Sequence, residues 1–400
     1  MSAAGESATM RWASAHSALE DAPAAIAEAA VALRESLGEG AVDLALVFFS
    51  AAHVAGAAAI AATLKERLQP ACLLGVSAHG VISTEHETEG SAALTVIAAR
   101  LPGVEIAPFI LMNEVWNEAV SDSHAFSRAA PGAAGAELVL LFADPFDFGI
   151  ERALEAFNRH APGVRVVGGV ASAGGRPRGN ALILNDWLAH EGGVAVALKG
   201  ALRVDVIVSQ GCLPIGPPLE VTRAQQNLVI ELDGQPALER AEQVLQSLSA
   251  SERERLRNGL YMGRPVRGGG EGRGSYLIRN LLGADRDRGV IAIGDLVRER
   301  EKLRLHVRDA ASASEDLELM LAPQEFDSRA QGVLLFACNG RGQGLFGRPD
   351  GDISVLQAAL GGAVPAAGMF CAGEIGPVGG RNYLHGHTAS IAVVRAASSG

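Results

Sequence analysis

One element is used three times along this chain. DLALVFFSAAH from residue 43, ELVLLFADPFD from 137 and QGVLLFACNGR from 331 each read as a buried strand that ends in a phenylalanine and a polar turn. A helix-length segment follows each one, then a hexapeptide bounded by glycines: GVSAHG at 75, GVASAG at 169 and GMFCAG at 368. From Phe49, Phe142 and Phe336 to those glycines the spacing is 26, 27 and 32 residues. A polar loop and a β-prone run (SAALTVIAAR, GGVAVALKG, TASIAVVRA) close each unit. Strands separated by about 15 residues of helix favour parallel crossovers, because the return to one sheet edge needs that much chain. The pattern predicts an α/β fold of two domains, built from repeated strand-helix-strand units with mixed sheets. The small residues Ser77, Ala78, Ala171, Ser172, Ala173 and Ala372 let backbones approach closely, against a neighbouring unit or against a ligand.

Residues 201 to 330 interrupt the pattern. ALRVDVIVSQG reads as a strand, CLPIGPP as a Pro-rich turn, NLVIELDG as a strand and PALERAEQVLQSLSASERERL as one exposed, charged helix. RPVRGGGEGRG has the composition of a mobile surface loop, and GVIAIGDLVREREKLRLHVRD alternates like a half-exposed antiparallel hairpin. A domain boundary near 228 divides the chain into a lead-in and first helix (1–40), an N-terminal domain (41–228) and a C-terminal domain (229–395). MSAAGESATMRW lacks the features of a secretory signal and reads as a short disordered lead-in.

Charge and cysteine usage narrow the partners. A net charge of -11 repels phosphate backbones and anionic membrane surfaces, so neither nucleic acid nor membrane is expected. AAHVAGAAAIAATL, residues 51 to 64, is too short to span a bilayer and reads as a buried amphipathic helix. Cys72, Cys212, Cys338 and Cys371 lie far apart with no C-x-x-C pair, which suits a reducing, cytoplasmic location.

FACNGRGQGLFG, residues 336 to 347, contains a literal G-x-G-x-x-G at Gly342, Gly344 and Gly347. A dinucleotide fingerprint needs its third glycine in the first helical turn, whereas RPDGD follows Gly347 and delays the helix to a start at Asp352 as N-cap. Lys65, Lys199 and Lys302 stand in no Walker loop, and no G-x-S-x-G occurs. No cofactor is expected. What remains is a strand that delivers Cys338 to its carboxyl end, followed by Asn339, Gly340, Arg341 and Gly342. There a guanidinium and uncovered amides would hold a carboxylate, or Arg341 would pair with an acidic residue of the chain itself.

Glu374 and Arg381 bracket a glycine-rich loop, where they would grip the two ends of a zwitterion or hold each other. His385 and His387, two apart, would share a strand face. They supply too few ligands for a metal site even with Cys338 or Cys371. With either histidine as base, Cys338 would be a nucleophile acting on an acyl or peptide-like substrate. Asn382 closes loop hydrogen bonds or touches a ligand.

CNGRGQGLFG together with GMFCAGEIGPVGGRNYLHGHTASI (368–391) closely resembles the C-terminal signature of FIST-domain proteins, named for F-box and intracellular signal transduction. DLALVFFSAAH, LLGVSAHGVI and VIELDGQPALE look like further landmarks, so the resemblance spans residues 40 to 395. It implies paired FIST N-terminal and C-terminal domains that sense a small polar ligand, with amino acids the leading suggestion, and that pass the signal to a separate protein. The ligand pocket is expected between the 338–344 and 373–388 loops, from Cys338, Asn339, Gly340, Arg341, Gly342, Glu374, Arg381, Asn382, His385 and His387. A non-binding interaction scaffold is the remaining alternative.

Overall fold

A computed structural model describes residues 9–38, 40–256, 259–266 and 275–397. Most of the expected mobile loop at RPVRGGGEGRG lies outside them, although Arg264 and Pro265 end a strand. The chain forms two compact units, one of Met1–Val208, Met320–Leu384 and Ala389–Gly400, the other of Ser209–Leu319 and His385–Thr388. Residue 228 falls inside the second unit, and the third repeat returns to the first.

In the first unit every repeat supplies the same strands. Inner strands Val42–Ser50, Leu138–Ala143 and Gly332–Cys338 each run parallel to a second strand, Pro70–Ala78, Val166–Val170 and Ala366–Cys371. Helices Ala57–Leu68, Ile150–His160 and Gly351–Ala359 make the crossovers. Return strands Leu94–Arg100, Gly193–Gly200 and Ala389–Ala396 pair antiparallel with the inner strands. Lead strands Arg11–Ser17, Val104–Leu111 and Leu202–Ser209 lie outside those. The expected lead-in is thus partly strand, and its Met10 and Trp12 are buried.

Each sheet is completed from another repeat. The hairpin Leu182–Leu184 with Trp187–Ala189 joins the sheet of repeat 1. Glu374–Val378 with Arg381–His385 joins that of repeat 2, and Gly80–Ile82 with Glu87–Glu89 joins that of repeat 3. The exchange is cyclic and yields three six-stranded sheets of identical strand order.

Alternation along the strands sets the core. Leu44, Leu46 and Phe48 share one cluster with Leu138, Leu140, Phe142, Leu334 and Phe336. Phe48, Phe142 and Phe336 meet edge to face at centroid distances of 5.7, 5.9 and 5.5 Å, the geometry that ring quadrupoles favour. Phe48, rather than Phe49, is therefore the counterpart of the other two; Phe49 packs in the cluster of helices Ala22–Leu37 and Ala57–Leu68.

Likewise Gly168, rather than Gly169, matches Gly75 and Gly368. These three stand opposite Ile375, Ile183 and Ile82 of the incoming hairpins. On their other side the inner strand comes so close that a Cβ would overlap the carbonyl of Leu141 at Gly168 and of Leu335 at Gly368. The close approach legible in the hexapeptides is between strands of one sheet.

The second unit is inserted between the lead and inner strands of repeat 3. Its sheet has the order Cys212–Gln225, Lys302–Arg308, Leu260–Pro265, Tyr276–Asp285, Val290–Ile293, Leu228–Leu232, Gln235–Pro236. Because Cys212–Gln225 also pairs with Leu228–Leu232, the sheet closes on itself as a barrel. Three expectations change here. CLPIGPP is strand, with Pro217 and Pro218 in an irregularity between Ile215 and Leu219 where their missing N–H groups interrupt no ladder. Val290–Ile293 and Lys302–Arg308 form no hairpin, since each pairs with other strands. The long helix is two: Ala237–Ser247 stops, and Ser249 with Glu252 forms a capping box for Ala250–Arg255. The expected helix at 51–64 is a 3-10 turn, Ala51–Gly56, leading into Ala57–Leu68.

Candidate functional site

The loop after Cys338 does cradle carboxylates, and they belong to the chain. Arg341 is fully buried and donates from Nε and Nη2 to Asp352 Oδ2 and Oδ1 at 2.6 and 2.5 Å. Asp352 is therefore not the N-cap of Gly351–Ala359; Asp350 is, in the left-handed conformation. Glu87 reaches in from the exchanged hairpin of repeat 1 and accepts the Asp352 and Ile353 N–H groups on Oε1, both at 2.8 Å. Glu89 of the same hairpin accepts the Gln343 N–H at 2.9 Å. Gly342, at φ 63, leaves room for it, because a Cβ there would overlap the Glu89 carboxylate. A helix does begin inside the G-x-G-x-x-G, against expectation, but Gln343–Phe346 ends at once at Gly347. Burial and the Asp352 charge push the Glu87 carboxyl up to about 8, and its Oε2 has no hydrogen-bond partner among the described residues. Asn339 and Gly340 are exposed, and the Gly340 N–H donates to Cys338 Sγ at 3.3 Å.

Most of the expected loop at 373–388 is a hairpin, Glu374–Val378 with Arg381–His385, turned by Gly379 (φ 57) and Gly380 (φ 77). Glu374 opens its first strand and Arg381 its second, at the turn end. At roughly 3.3 Å per strand residue, about 13 Å of backbone lies along the hairpin between the two positions. Glu374 is fully buried opposite Gly169, where the other two hairpins place apolar Val81 and Leu182. Near it, Cys371 is the register partner of Cys338. Burial, then the charges of Glu374 and Cys338, push the Cys371 thiol well up. Asn382 is committed to structure: its Oδ1 accepts the Val166 N–H at 2.9 Å, and its Nδ2 donates to Val164 O at 2.9 Å and Asn158 Oδ1 at 3.2 Å. His385 closes the hairpin, buried, while His387 follows at φ 66, so the two histidines do not share a strand face.

His387 belongs to the second unit and meets a residue that sequence reasoning missed. Arg308, the last residue of its strand, is 3% exposed and donates from Nη1 to His387 Nδ1 at 3.2 Å. His387 Nε2 lies 2.9 Å from Asn280 Oδ1, and its ring packs against Tyr261 at a centroid distance of 4.4 Å, tilted by 57°. With Nδ1 accepting, the ring is neutral and carries its proton on Nε2. Burial, then Arg308 and Arg279, push its pKa down to about 4. Arg308 Nε and Nη2 are buried without a hydrogen-bond partner among the described residues. The acidic residues of the barrel serve other arginines: Asp295 holds Arg264 and Arg279, and Glu301 holds Arg264. No sequence pattern marks Arg308: KLRLHVR alternates like a half-exposed strand, whereas the structure buries both faces over residues 305–308.

Surface clefts in the first unit are lined by other segments, around Arg34 and Gln69, Ser354 and Gln357, and Asp327 and Ala359. Among the described residues no three His, Cys, Asp or Glu side chains gather as a metal site, and no helix is long and apolar enough to cross a membrane.

These features define a class, an α/β protein of three cyclically exchanged repeats with an inserted antiparallel barrel. Residues 43–235 match the FIST N domain and residues 237–377 the FIST C domain, so the chain belongs to the FIST family, which is associated with signal transduction and small-ligand sensing. An uncharacterized protein of Mycobacterium tuberculosis is 40% identical over 378 residues, 93% of this chain and 96% of its own length. One of Mycobacterium bovis is 40% identical over 379 residues with the same coverage, 93% and 96%. Among solved structures, a cyanuric acid hydrolase aligns over 97% of this chain and 100% of its own at 9% identity, with a TM-score of 0.36. A second one, from A. caulinodans, aligns over 98% and 100% at 8% identity and the same TM-score, 0.36. Likeness at that level carries no argument about this chain.

Proposed function

We propose that this protein is a non-enzymatic sensor for a small anionic ligand, a carboxylate and in the first instance an amino acid, held at Arg308. The observation that carries this is a buried guanidinium that, among the described residues, has two open donors, a neutral histidine beside it and no carboxylate bonded to it. A buried charge left uncompensated costs several kcal/mol, and a bidentate carboxylate relieves it. Arg341 shows the fit within the same chain: Asp352 occupies its Nε and Nη2, the two atoms that stand open on Arg308. His387, from the predicted set, fixes the orientation of the guanidinium instead of adding charge. The protein works in the cytoplasm and passes its output to a separate signalling protein.

A ligand that binds only the native state raises its melting temperature. The first test is therefore a thermal-shift screen of the common amino acids and small carboxylates on wild type and Arg308→Gln. A saturable shift lost in the variant is expected. A shift that survives in Arg308→Gln, or no shift from any compound, would overturn the reading.

A further inference from the structure

We propose that Cys338 and Cys371 form a dithiol that a hydroperoxide oxidises to a disulfide, a covalent site separate from Arg308. The two are register partners at the carboxyl ends of neighbouring parallel strands, so both side chains leave the same face of the sheet. Adjacent strands stand about 4.8 Å apart, inside the window of roughly 4.4–6.8 Å between Cα atoms that a disulfide spans. Packing does not demand the pair. The corresponding strand ends in repeat 1 are Ser50 and Ala78, and in repeat 2 Asp144 and Ala171 follow the last ladder partners.

The two sulfurs differ in the way the chemistry needs. Cys338 is partly exposed, beside exposed Asn339 and Gly340, and Cys371 is fully buried behind it. The Gly340 N–H donates to Cys338 Sγ at 3.3 Å, and the charge of the following Arg341 couples to that sulfur. Gly169 opposite has no Cβ, which would overlap Cys371 Sγ.

In the first step the Cys338 thiolate attacks the distal oxygen of the peroxide. The S–O bond forms, the O–O bond breaks, and the alcohol or water leaves with a proton; the peroxide gains two electrons and the sulfur becomes a sulfenic acid. In the second step the Cys371 sulfur attacks Cys338 Sγ. The S–S bond forms, the S–O bond breaks, and water carries off the Cys371 proton. Two equivalents of a small-molecule thiol return the pair to the reduced state by exchange: the first forms a mixed disulfide, the second resolves it, and together they supply two electrons and two protons and leave as their own disulfide. Burial holds Cys371 protonated, so the second step is slower than attack by a free thiolate would be.

The test treats the full-length protein with hydrogen peroxide and follows it by intact mass and peptide mapping. Wild type is expected to lose about 2 Da, with a thiol-reversible link between the peptides that carry Cys338 and Cys371. Cys371→Ala, checked by its melting curve, is expected to stop at a sulfenic acid that a 1,3-diketone traps on Cys338, and Cys338→Ser to leave Cys371 unmodified. Two outcomes would sink the proposal: Cys338 untouched while Cys72 or Cys212 reacts, or Cys338 passing to the sulfinic acid in wild type with no link to Cys371.

Discussion

Glu87 ties stability to pH. Its carboxyl titrates at about 8 in the fold against 4.5 as a model group, so over that interval the folded chain keeps a proton that the unfolded chain releases. The stabilisation is complete below pH 4.5 and is lost as the pH rises to about 8, with a slope approaching roughly 1.4 kcal/mol per pH unit. Urea midpoints of wild type should fall across that window, and Glu87→Gln should flatten the fall; an equal slope in the variant would remove the buried proton from the account. His306 and His387 run the other way. Burial pushes both from 6.5 to about 4, so their contribution is present above 6.5 and is lost as the pH drops toward 4. The ring resonances of His387 should therefore stay at their neutral positions down to about pH 5, and an ordinary titration near 6.5 would contradict the bond from Arg308. At this scale the sequence was partly legible. Charge alone makes an Arg341 held by an acid of its own chain one of two readings, but which acid is not legible, since Asp352 also reads as an N-cap. Glu87, which completes the cluster, is 265 residues from its partner, and no local pattern points across such a distance.

Among the elements, the glycine of each second strand is the most demanding position. Gly368→Ala sets a Cβ against a backbone carbonyl that cannot rotate away, whereas in Gly75→Ala the nearest atoms are the side chains of Val47 and Ile183. The first substitution should cost about 3 kcal/mol or more and the second about 1 kcal/mol, as read from chemical denaturation; the reverse order would show that the strand spacing relaxes. The three repeats were legible because strand, crossover helix and return run each carry their own period. The register slipped by one residue, to Phe49 and Gly169, where residues were matched by type instead of by the face they present. The exchanged hairpins were not legible, since strands as short as Gly80–Ile82 have no period and find their place by docking on Ala366–Cys371.

For the whole molecule, order along the chain and order in space differ. A sequence reading divides at 228, and the family segments meet between 235 and 237, yet the strands of repeat 3 belong to the same compact unit as repeats 1 and 2. Truncation after residue 330 removes the hairpin that completes the sheet of repeat 2 and leaves that of repeat 1 without its dock. A fragment of residues 1–208 should accordingly lack cooperative unfolding in calorimetry. A sharp melt near that of the full chain would mean that the first two repeats are stable without the exchange.

The cyclic exchange also bears on how the protein is made. A ribosome exports the Gly80–Glu89 hairpin long before it exports Ala366–Cys371, a delay on the order of tens of seconds at ordinary synthesis rates. Throughout that interval the nascent chain carries open sheet edges, which template aggregation. Yield in the cell will follow the supply of holdase chaperones during translation more closely than the stability of the finished fold.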